Sequence, residues 1–339
     1  MTDINMSQES SKSWDETYKT LIGNLHFSKC SRQKAAKHEW LYHCTTSTAL
    51  INIFTTKEIW LTNLKYVNDK EEIDRISVPE YEDKFFVACF TEKSDISPEH
   101  WKEYSQESNG VLWAVKQTFF TREVYLLDDN NTHMQGENYR VIKGMEMESS
   151  QSSSYNPYNV YDIDFYQVCY NDNLKKQITL NFPQNDPHKQ FVFYDVAGII
   201  KSEKGLCRRD GNQEYEKNWK EEKEVRLKTC IMKTFQEECS IANNKKFDNK
   251  LIIKKVAVPF SDEACENINI RLSPYFKDKN AFVDQLREVF KECDYEIVFF
   301  DDLGKEITDI CRTTYVAVRK KSNLCKLTPL DIGRIWKPC

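Results

Sequence analysis

The chain has 339 residues, 40% hydrophobic and 30% charged, with 19 Phe, 17 Tyr and 7 Trp. That is enough apolar and aromatic side chain to bury one large core or two modest ones without disulfide or metal staples, and it excludes a disordered chain. A formal net charge of -5 argues against a basic surface over the whole molecule and leaves nucleic-acid contact to a local patch.

The 12 Cys are scattered, with no CxxC and no metal-ligand spacing, and Cys89, Cys169 and Cys230 fall inside apolar runs where a thiol acts as a small hydrophobe. This is the usage of a reducing compartment. With no apolar signal core at the N-terminus and no run long enough to span a bilayer, the expectation is a cytoplasmic protein without a membrane partner.

Residues 1–38 are polar, with one weakly amphipathic stretch around Tyr18, Leu21, Ile22 and Leu25, and read as a tail ending in a short helix. From Glu39 the texture changes. Trp40 to His43 reads as a strand, Thr45-Thr46-Ser47 as a helix cap and Ala49 to Phe54 as a short helix. Further strands are predicted over Phe85–Thr91, Val111–Val115, Asp164–Tyr170, Gln190–Tyr194, Glu224–Ile231, Leu251–Val258, Tyr295–Phe299 and Thr314–Val318. A helix is predicted over Lys279–Cys293, where Phe282, Leu286, Val289 and Phe290 share one face.

Two polar insertions, Gly144–Asn159 and Lys201–Asn218, read as surface loops. Residues 39–320 are therefore expected to form a single catalytic-type α+β domain. Its sheets should be mixed and mainly antiparallel with flanking helices, because strands follow strands without regular helical crossovers. Residues 321–339 read as a basic C-terminal tail. Around it Arg319, Lys320, Lys321, Lys326, Arg334 and Lys337 face only Asp331. Trp336 could stack on an exposed base of an RNA or DNA acceptor, or Ile332, Ile335 and Trp336 could dock the tail on the domain.

Much familiar chemistry is absent. No two of the 9 glycines are separated by a single residue, so there is no GxGxxG, and there is no Walker loop and no GxSxG elbow. His38 and His43 are five apart where HExxH needs four. No metal site is expected.

Three separated segments stand out: Leu41-Tyr42-His43-Cys44-Thr45-Thr46-Ser47; Trp60-Leu61-Thr62-Asn63 running to Asn68-Asp69-Lys70-Glu71-Glu72; and Trp219-Lys220-Glu221-Glu222-Lys223-Glu224-Val225-Arg226. With Phe86 to Glu92 and the Trp101, Tyr104, Gly110 stretch, their order and spacing resemble the bacterial family catalogued as domain of unknown function 2971. That family reads LYHYTS, a helix, LW-x-tN, NDxxE, a strand ending in FSE, W-x-x-Y and a late E-x-E-x-R. The resemblance covers roughly residues 40–117 and 160–320. The chain departs from it at Cys44, Thr91 and His100, none of them in the polar core of the motif. At fold level the pattern also resembles the ADP-ribosyltransferase superfamily. That resemblance implies a split β core, a cleft for NAD, and a bacterial toxin or anti-phage setting.

The residues themselves allow this chemistry. Displacing nicotinamide from NAD requires a bent dinucleotide, an aromatic face for the pyridine ring and stabilisation of an oxocarbenium-like ribose. Glu224, with Glu222 two residues earlier and expected on the same strand face, supplies two carboxylates, one for the ribose and one to activate an acceptor. Arg226 could anchor Glu224 or an NAD phosphate. His43 could donate to a ribose hydroxyl or the nicotinamide amide. Trp60 or Tyr66 could stack on the ring, and Thr45 and Asn68 complete the expected NAD contacts.

Structural readings stay open beside these: His43 as a satisfied core histidine, Glu222 and Glu224 as an exposed stripe, Asn68-Asp69 as a turn, and Trp101 with Tyr104 as packing. The expected function is an NAD-dependent ADP-ribosyltransferase acting on a macromolecular acceptor. An NAD glycohydrolase and a non-catalytic nucleotide- or protein-binding module are the alternatives.

Overall fold

The computed structural model describes residues 29–67, 84–105, 108–121, 123–128, 130–134, 139–142, 158–161, 163–172, 198–208, 214–233, 253–292, 294–321, 332 and 334–336. Five helices lie among them: α1 (residues 29–35), α2 (Ser47–Thr56), α3 (Pro98–Ser105), α4 (Asp262–Glu266) and α5 (Lys279–Val289). The first strands are β1 (Leu41–Thr46), β2 (Glu58–Asn63), β3 (Phe85–Thr91), β4 (Gly110–Val115), β5 (Tyr125–Leu127), β6 (Tyr139–Ile142) and β7 (Tyr158–Tyr161). There follow β8 (Asp164–Gln167), β9 (Cys169–Tyr170), β10 (Ile200–Lys201), β11 (Lys204–Arg208), β12 (Glu214–Asn218) and β13 (Glu224–Lys233). The last are β14 (Lys255–Pro259), β15 (Asn267–Leu272), β16 (Tyr295–Phe300), β17 (Glu306–Ile307) and β18 (Tyr315–Lys320).

The fold is α+β and mainly antiparallel. One large sheet runs β17-β16-β18-β15-β4-β1-β3-β13-β7-β6, with β2, β5, β8 and β14 branching from it. Parallel pairing is confined, among the described strands, to β6 with β7 and β9 with β10. Alternation decides which face each side chain takes. On β3, Phe86, Ala88 and Phe90 enter the main core, while Val87 and Cys89 face the other side. β1 and β4 pair along their whole length, from Leu41↔Val115 to Thr46↔Gly110, whereas β1 and β3 are in register only at Tyr42↔Thr91. β3 and β13 then pair from Glu224↔Thr91 to Cys230↔Phe85.

α2 starts where a cap was expected, and within the Thr45-Thr46-Ser47 run it is Thr46 that caps it, accepting from the Ala49 amide at 3.2 Å. α5 ends at Val289, earlier than the predicted Cys293, with Asp278 capping its first turn. The predicted strand Asp164–Tyr170 is broken at Val168, whose amide turns to the Glu224 carbonyl at 2.9 Å. The predicted strand Leu251–Val258 begins at Lys255, with residues 251–252 outside the described residues, as is Gln190–Tyr194.

Both polar insertions need correction. Residues 144–157 lie outside the described residues, but Asn159 belongs to β7 and pairs with Met232 of β13. Lys201–Asn218 is no plain loop: β11 and β12 form an antiparallel hairpin from Lys204↔Asn218 to Arg208↔Glu214, and Lys201 is buried in β10. With Leu206 and Cys207 adjacent and charged residues around them, β11 carries no period-2 apolar pattern in the sequence.

The expected tails are also partly built into the domain. Tyr18 to Leu25 fall outside the described residues, but α1 buries Ser31 and Ala35, and the Ser31 hydroxyl donates to the Gln167 carbonyl at 2.7 Å. At the other end Arg319 and Lys320 are the last residues of β18, Lys320 pairs with Glu266 at 2.9 Å, and Lys321 lies 3.6 Å from Asp294. Ile332, Ile335 and Trp336 are buried, Trp336 lying 5.3 Å from the Tyr42 ring and 5.5 Å from Tyr315. Docking therefore accounts for Trp336, which is not available to stack on a base. Among the described residues no helix is long and apolar enough to cross a membrane.

Removing this anchor should be costly. Trp336→Ala is expected to lower unfolding stability by about 3 kcal/mol, the cost of emptying a buried aromatic site. A urea midpoint unchanged from wild type would show that the segment only rests on the surface.

Candidate functional site

Among the described residues, a cluster of ionisable side chains is gathered where β1, β3 and β13 meet. An open cleft of about 240 Å³ lies there, and His43, Trp60, Tyr66, Glu222, Glu224 and Arg226 all line it. Its position follows from the register. Tyr42, Thr91 and Glu224 are successive cross-strand partners and share a face. His43, one residue on, starts from the opposite pleat face, with its ring 5.3 Å from Phe90. It lines the same cleft because the β1–β3 ladder stops at Tyr42↔Thr91, leaving an opening beside it.

Beneath the cleft lies a buried ionic network of three carboxylates and three cations. Arg226 grips Glu224 side-on, Nε to Oε1 at 2.7 Å and Nη2 to Oε2 at 3.0 Å, and its Nη1 donates to the Gly198 carbonyl at 2.9 Å. Gly198 holds a φ of +74°, a conformation that a side chain would strain. Lys201 Nζ lies 3.3 Å from Glu224 Oε2, 3.5 Å from Glu222 Oε2 and 3.8 Å over the Trp219 ring. Lys217 Nζ lies 2.6 Å from Glu222 Oε1 and also binds Glu103. Charges taken out of water at a cost of several kcal/mol each are tolerated only when paired this completely.

Electrostatics follow from this pairing. Burial alone would raise the Glu224 pKa, but Arg226 and Lys201 overcome it and hold the carboxyl well below the usual range. Glu222 is also lowered, burial being outweighed by Lys201 and Lys217. Tyr104 is pushed well above the ordinary phenol value by burial and by the surrounding carboxylates. It stays a donor, and gives its hydrogen bond to Glu222 Oε1 at 2.5 Å. Glu224 is a saturated acceptor. Glu222 is less so, since among the described residues its Oε2 meets Lys201 alone, at 3.5 Å.

The histidines divide by environment. His43 Nδ1 lies 2.9 Å from the Cys89 carbonyl. A carbonyl only accepts, so Nδ1 carries the proton and Nε2 is the lone-pair nitrogen. Burial lowers the His43 pKa, which keeps that lone pair in place. The expected donor is thus an acceptor on its cleft side. His100 also lines the cleft, 4.6 Å from the Tyr104 ring. Of the aromatic lining, Tyr66 is 58% exposed and Trp60 half-buried, each with an ammonium over one ring face, Lys65 at 5.0 Å and Lys255 at 4.5 Å.

Several expectations change. Glu222 does not share a strand with Glu224: it ends a 3-10 turn, Trp219–Glu222, and Lys223 at φ 50° swings the chain so that both carboxylates still converge. Arg226 is the anchor of Glu224 and not a free phosphate ligand. Thr45 pairs with Val111 in β1 and does not line the cleft. Asn68 lies outside the described residues. Trp101 is packing, but Tyr104 is part of the network. Thr91, where the resembled family has serine, keeps the hydroxyl and donates it to the Glu222 carbonyl at 2.7 Å.

Sequence reasoning missed Lys201 and Lys217, which sit in the segment read as a loop, and His100. No group of three or more His, Cys, Asp or Glu among the described residues is placed to hold a metal. No protein-family model matches the chain, and neither a curated protein nor a solved structure matches it significantly.

Two measurements check this arrangement. Burial lowers His43, whereas Glu92, 3.0 Å from His38, raises that residue's pKa. In an NMR titration His38 should therefore gain its proton above pH 6.5 and His43 only below it; the reverse order would contradict the geometry. Arg226→Met strands Glu224 with Lys201 as its remaining described cation and should cost about 3–5 kcal/mol in unfolding stability. A loss below about 1 kcal/mol would mean that the pair is not buried as described.

Proposed function

We propose that the cleft binds NAD and transfers its ADP-ribose to a macromolecular acceptor, the activity that the motif resemblances imply. The supporting observation is that one cleft is lined by Glu222, whose Oε2 has Lys201 at 3.5 Å, and by His43, whose Nε2 keeps its lone pair, together with the aromatic side chains Trp60 and Tyr66. The cleft is smaller than the usual ligand site of about 300–1,000 Å³. It suits the nicotinamide and its ribose, with the rest of the dinucleotide lying outside.

In this reading the pyridinium stacks on Tyr66 or Trp60, and Glu222 accepts a hydrogen bond from the adjacent ribose hydroxyl. The C1′–N bond breaks with its electron pair going to the nicotinamide nitrogen, and the carboxylate steadies the positive ribose. The acceptor nucleophile then bonds to C1′ and gives up its proton, for which neutral His43 is the available base. Glu224 acts as a positioning residue, its oxygens filled by Arg226 and Lys201. That reverses the ranking of the two carboxylates drawn from the E-x-E-x-R pattern.

One observation favours a second reading. The completeness of the ion pairing around Glu224 also fits a non-catalytic nucleotide-binding module. Incubating the protein with NAD and following nicotinamide release, with and without RNA, DNA or protein, separates the readings. Transfer gives release together with ADP-ribosylated acceptor, and a glycohydrolase gives release with free ADP-ribose. Saturable NAD binding without release supports the module. Glu222→Gln is expected to slow release by about 10²–10³-fold; a variant at full rate would remove Glu222 from the reaction.

A further inference from the structure

A second cavity, of about 450 Å³, lies on the other side of the turn that carries Glu222 and Glu224 into the cleft. Four lysines line it, from two distant parts of the chain: Lys34 and Lys37 from the end of α1 and the turn after it, and Lys220 and Lys223 from the 3-10 turn and its left-handed exit. The acidic side chain in its lining is Glu92, already 3.0 Å from His38. That pair is mutually reinforcing, with His38 raised by Glu92 and Glu92 lowered by His38. Lys223 is 4.0 Å from the same carboxylate, and Lys220 meets Glu203 at 3.3 Å with both side chains largely in water. Lys34 and Lys37 have no ion pair among the described residues. The wall thus keeps an excess of positive charge in a chain that is acidic overall.

The rest of the lining explains why the lysines converge. Ser31 and His38 tie the α1 region to Gln167, by the hydroxyl to its carbonyl at 2.7 Å and by the ring to its side chain at 3.1 Å. Lys34 and Lys37 are thereby held over β8 and β9. On the opposite wall Lys223 adopts φ 50°, so its two neighbours in sequence turn to the cleft while it turns to Glu92. Tyr170 lines the cavity, and its hydroxyl accepts the Glu224 amide at 3.1 Å. Concavity, an unbalanced set of ammonium donors and a volume well above that of a single ion describe a receptor for a multiply charged anion.

We infer that this cavity binds a phosphate-bearing ligand of nucleotide size, supplied as a free nucleotide or as the phosphodiester of a nucleic-acid strand. Lysine recognises phosphate as a point charge without demanding bidentate geometry, which suits a wall of four flexible ammonium groups. Binding releases counterions and weakens as salt rises. The site is separate from the cleft, and its occupation does not depend on any reaction there.

The test uses the full chain and three probes: inorganic phosphate, ATP and a fluorescein-labelled single-stranded 12-mer RNA. Affinities are measured by calorimetry or anisotropy at low and at high salt. Lys34→Glu/Lys37→Glu, both on exposed side chains, is expected to weaken ATP or RNA binding tenfold or more, and to flatten the salt dependence. The control Lys277→Glu/Lys305→Glu makes the same charge change elsewhere and should leave affinity within twofold. Lys34→Gln/Lys37→Gln should fall between, and its far-ultraviolet circular dichroism should match wild type. Tight ATP with weak RNA assigns the free nucleotide, and the converse assigns the strand.

The inference is overturned if no probe binds below millimolar concentration, or if both double-glutamate variants lose affinity equally, which would mark a diffuse surface effect. Nicotinamide release is a separate readout. Its absence beside Lys34-dependent binding would sink the catalytic reading and leave this one standing.

Discussion

The side-on grip of Arg226 on both oxygens of Glu224, with Lys201 adding a second cation at Oε2, is the interaction from which the rest of the site is built. A carboxylate sealed inside a sheet is unstable alone, and the elements around Glu224 and its neighbour Glu222 supply charge and hydrogen bonds. β10 delivers Lys201, the β11–β12 hairpin delivers Lys217, α3 delivers Glu103 and Tyr104, and Gly198 turns its carbonyl onto the guanidinium. Trp219 lies under two ammonium groups, Lys201 at 3.8 Å and Lys217 at 4.7 Å from its ring centre. Apolar replacements could fill the same volume with less electrostatic risk, so the network is better explained by the arrangement it imposes than by stability alone.

That arrangement sorts the ionisable groups by role. The cations that make Glu222 and Glu224 tolerable under the cleft also strip them of basicity, while burial keeps His43 neutral with one nitrogen committed to Cys89. Near neutral pH the carboxylates are therefore fixed negative charges and the imidazole is the group able to take up a proton.

Much of the fold was legible because alternation is a local signal. Phe85–Thr91 begins and ends where expected, and β13, β16 and β18 differ from their predicted spans by a few residues. His43 and Glu224, both expected in the NAD site, do line one cleft. What escaped has identifiable causes. A charge run such as Trp219 to Glu224 carries no periodicity that announces a 3-10 turn or a left-handed lysine, so Glu222 was read as strand. Lys201 and Lys217 resemble solvated lysines until a buried partner across the sheet is known. Trp336 could be assigned a ligand or a core from sequence alone; the rings of Tyr42 and Tyr315 decide for the core.

The register that joins β3 to β13 has a kinetic side. Thr91 and the Glu222 carbonyl it binds are 131 positions apart, and Tyr42 reaches the Ile335 carbonyl across 293. Such distant pairings close late, because the entropy of the intervening chain opposes them until neighbouring strands have formed a template. Until β13 arrives, β3 presents an unpaired edge with Phe86, Ala88 and Phe90 on one face and Val87 and Cys89 on the other. During refolding this apolar ribbon is open to intermolecular strand pairing, so yield should be governed less by final stability than by dilution and by how soon β13 covers it.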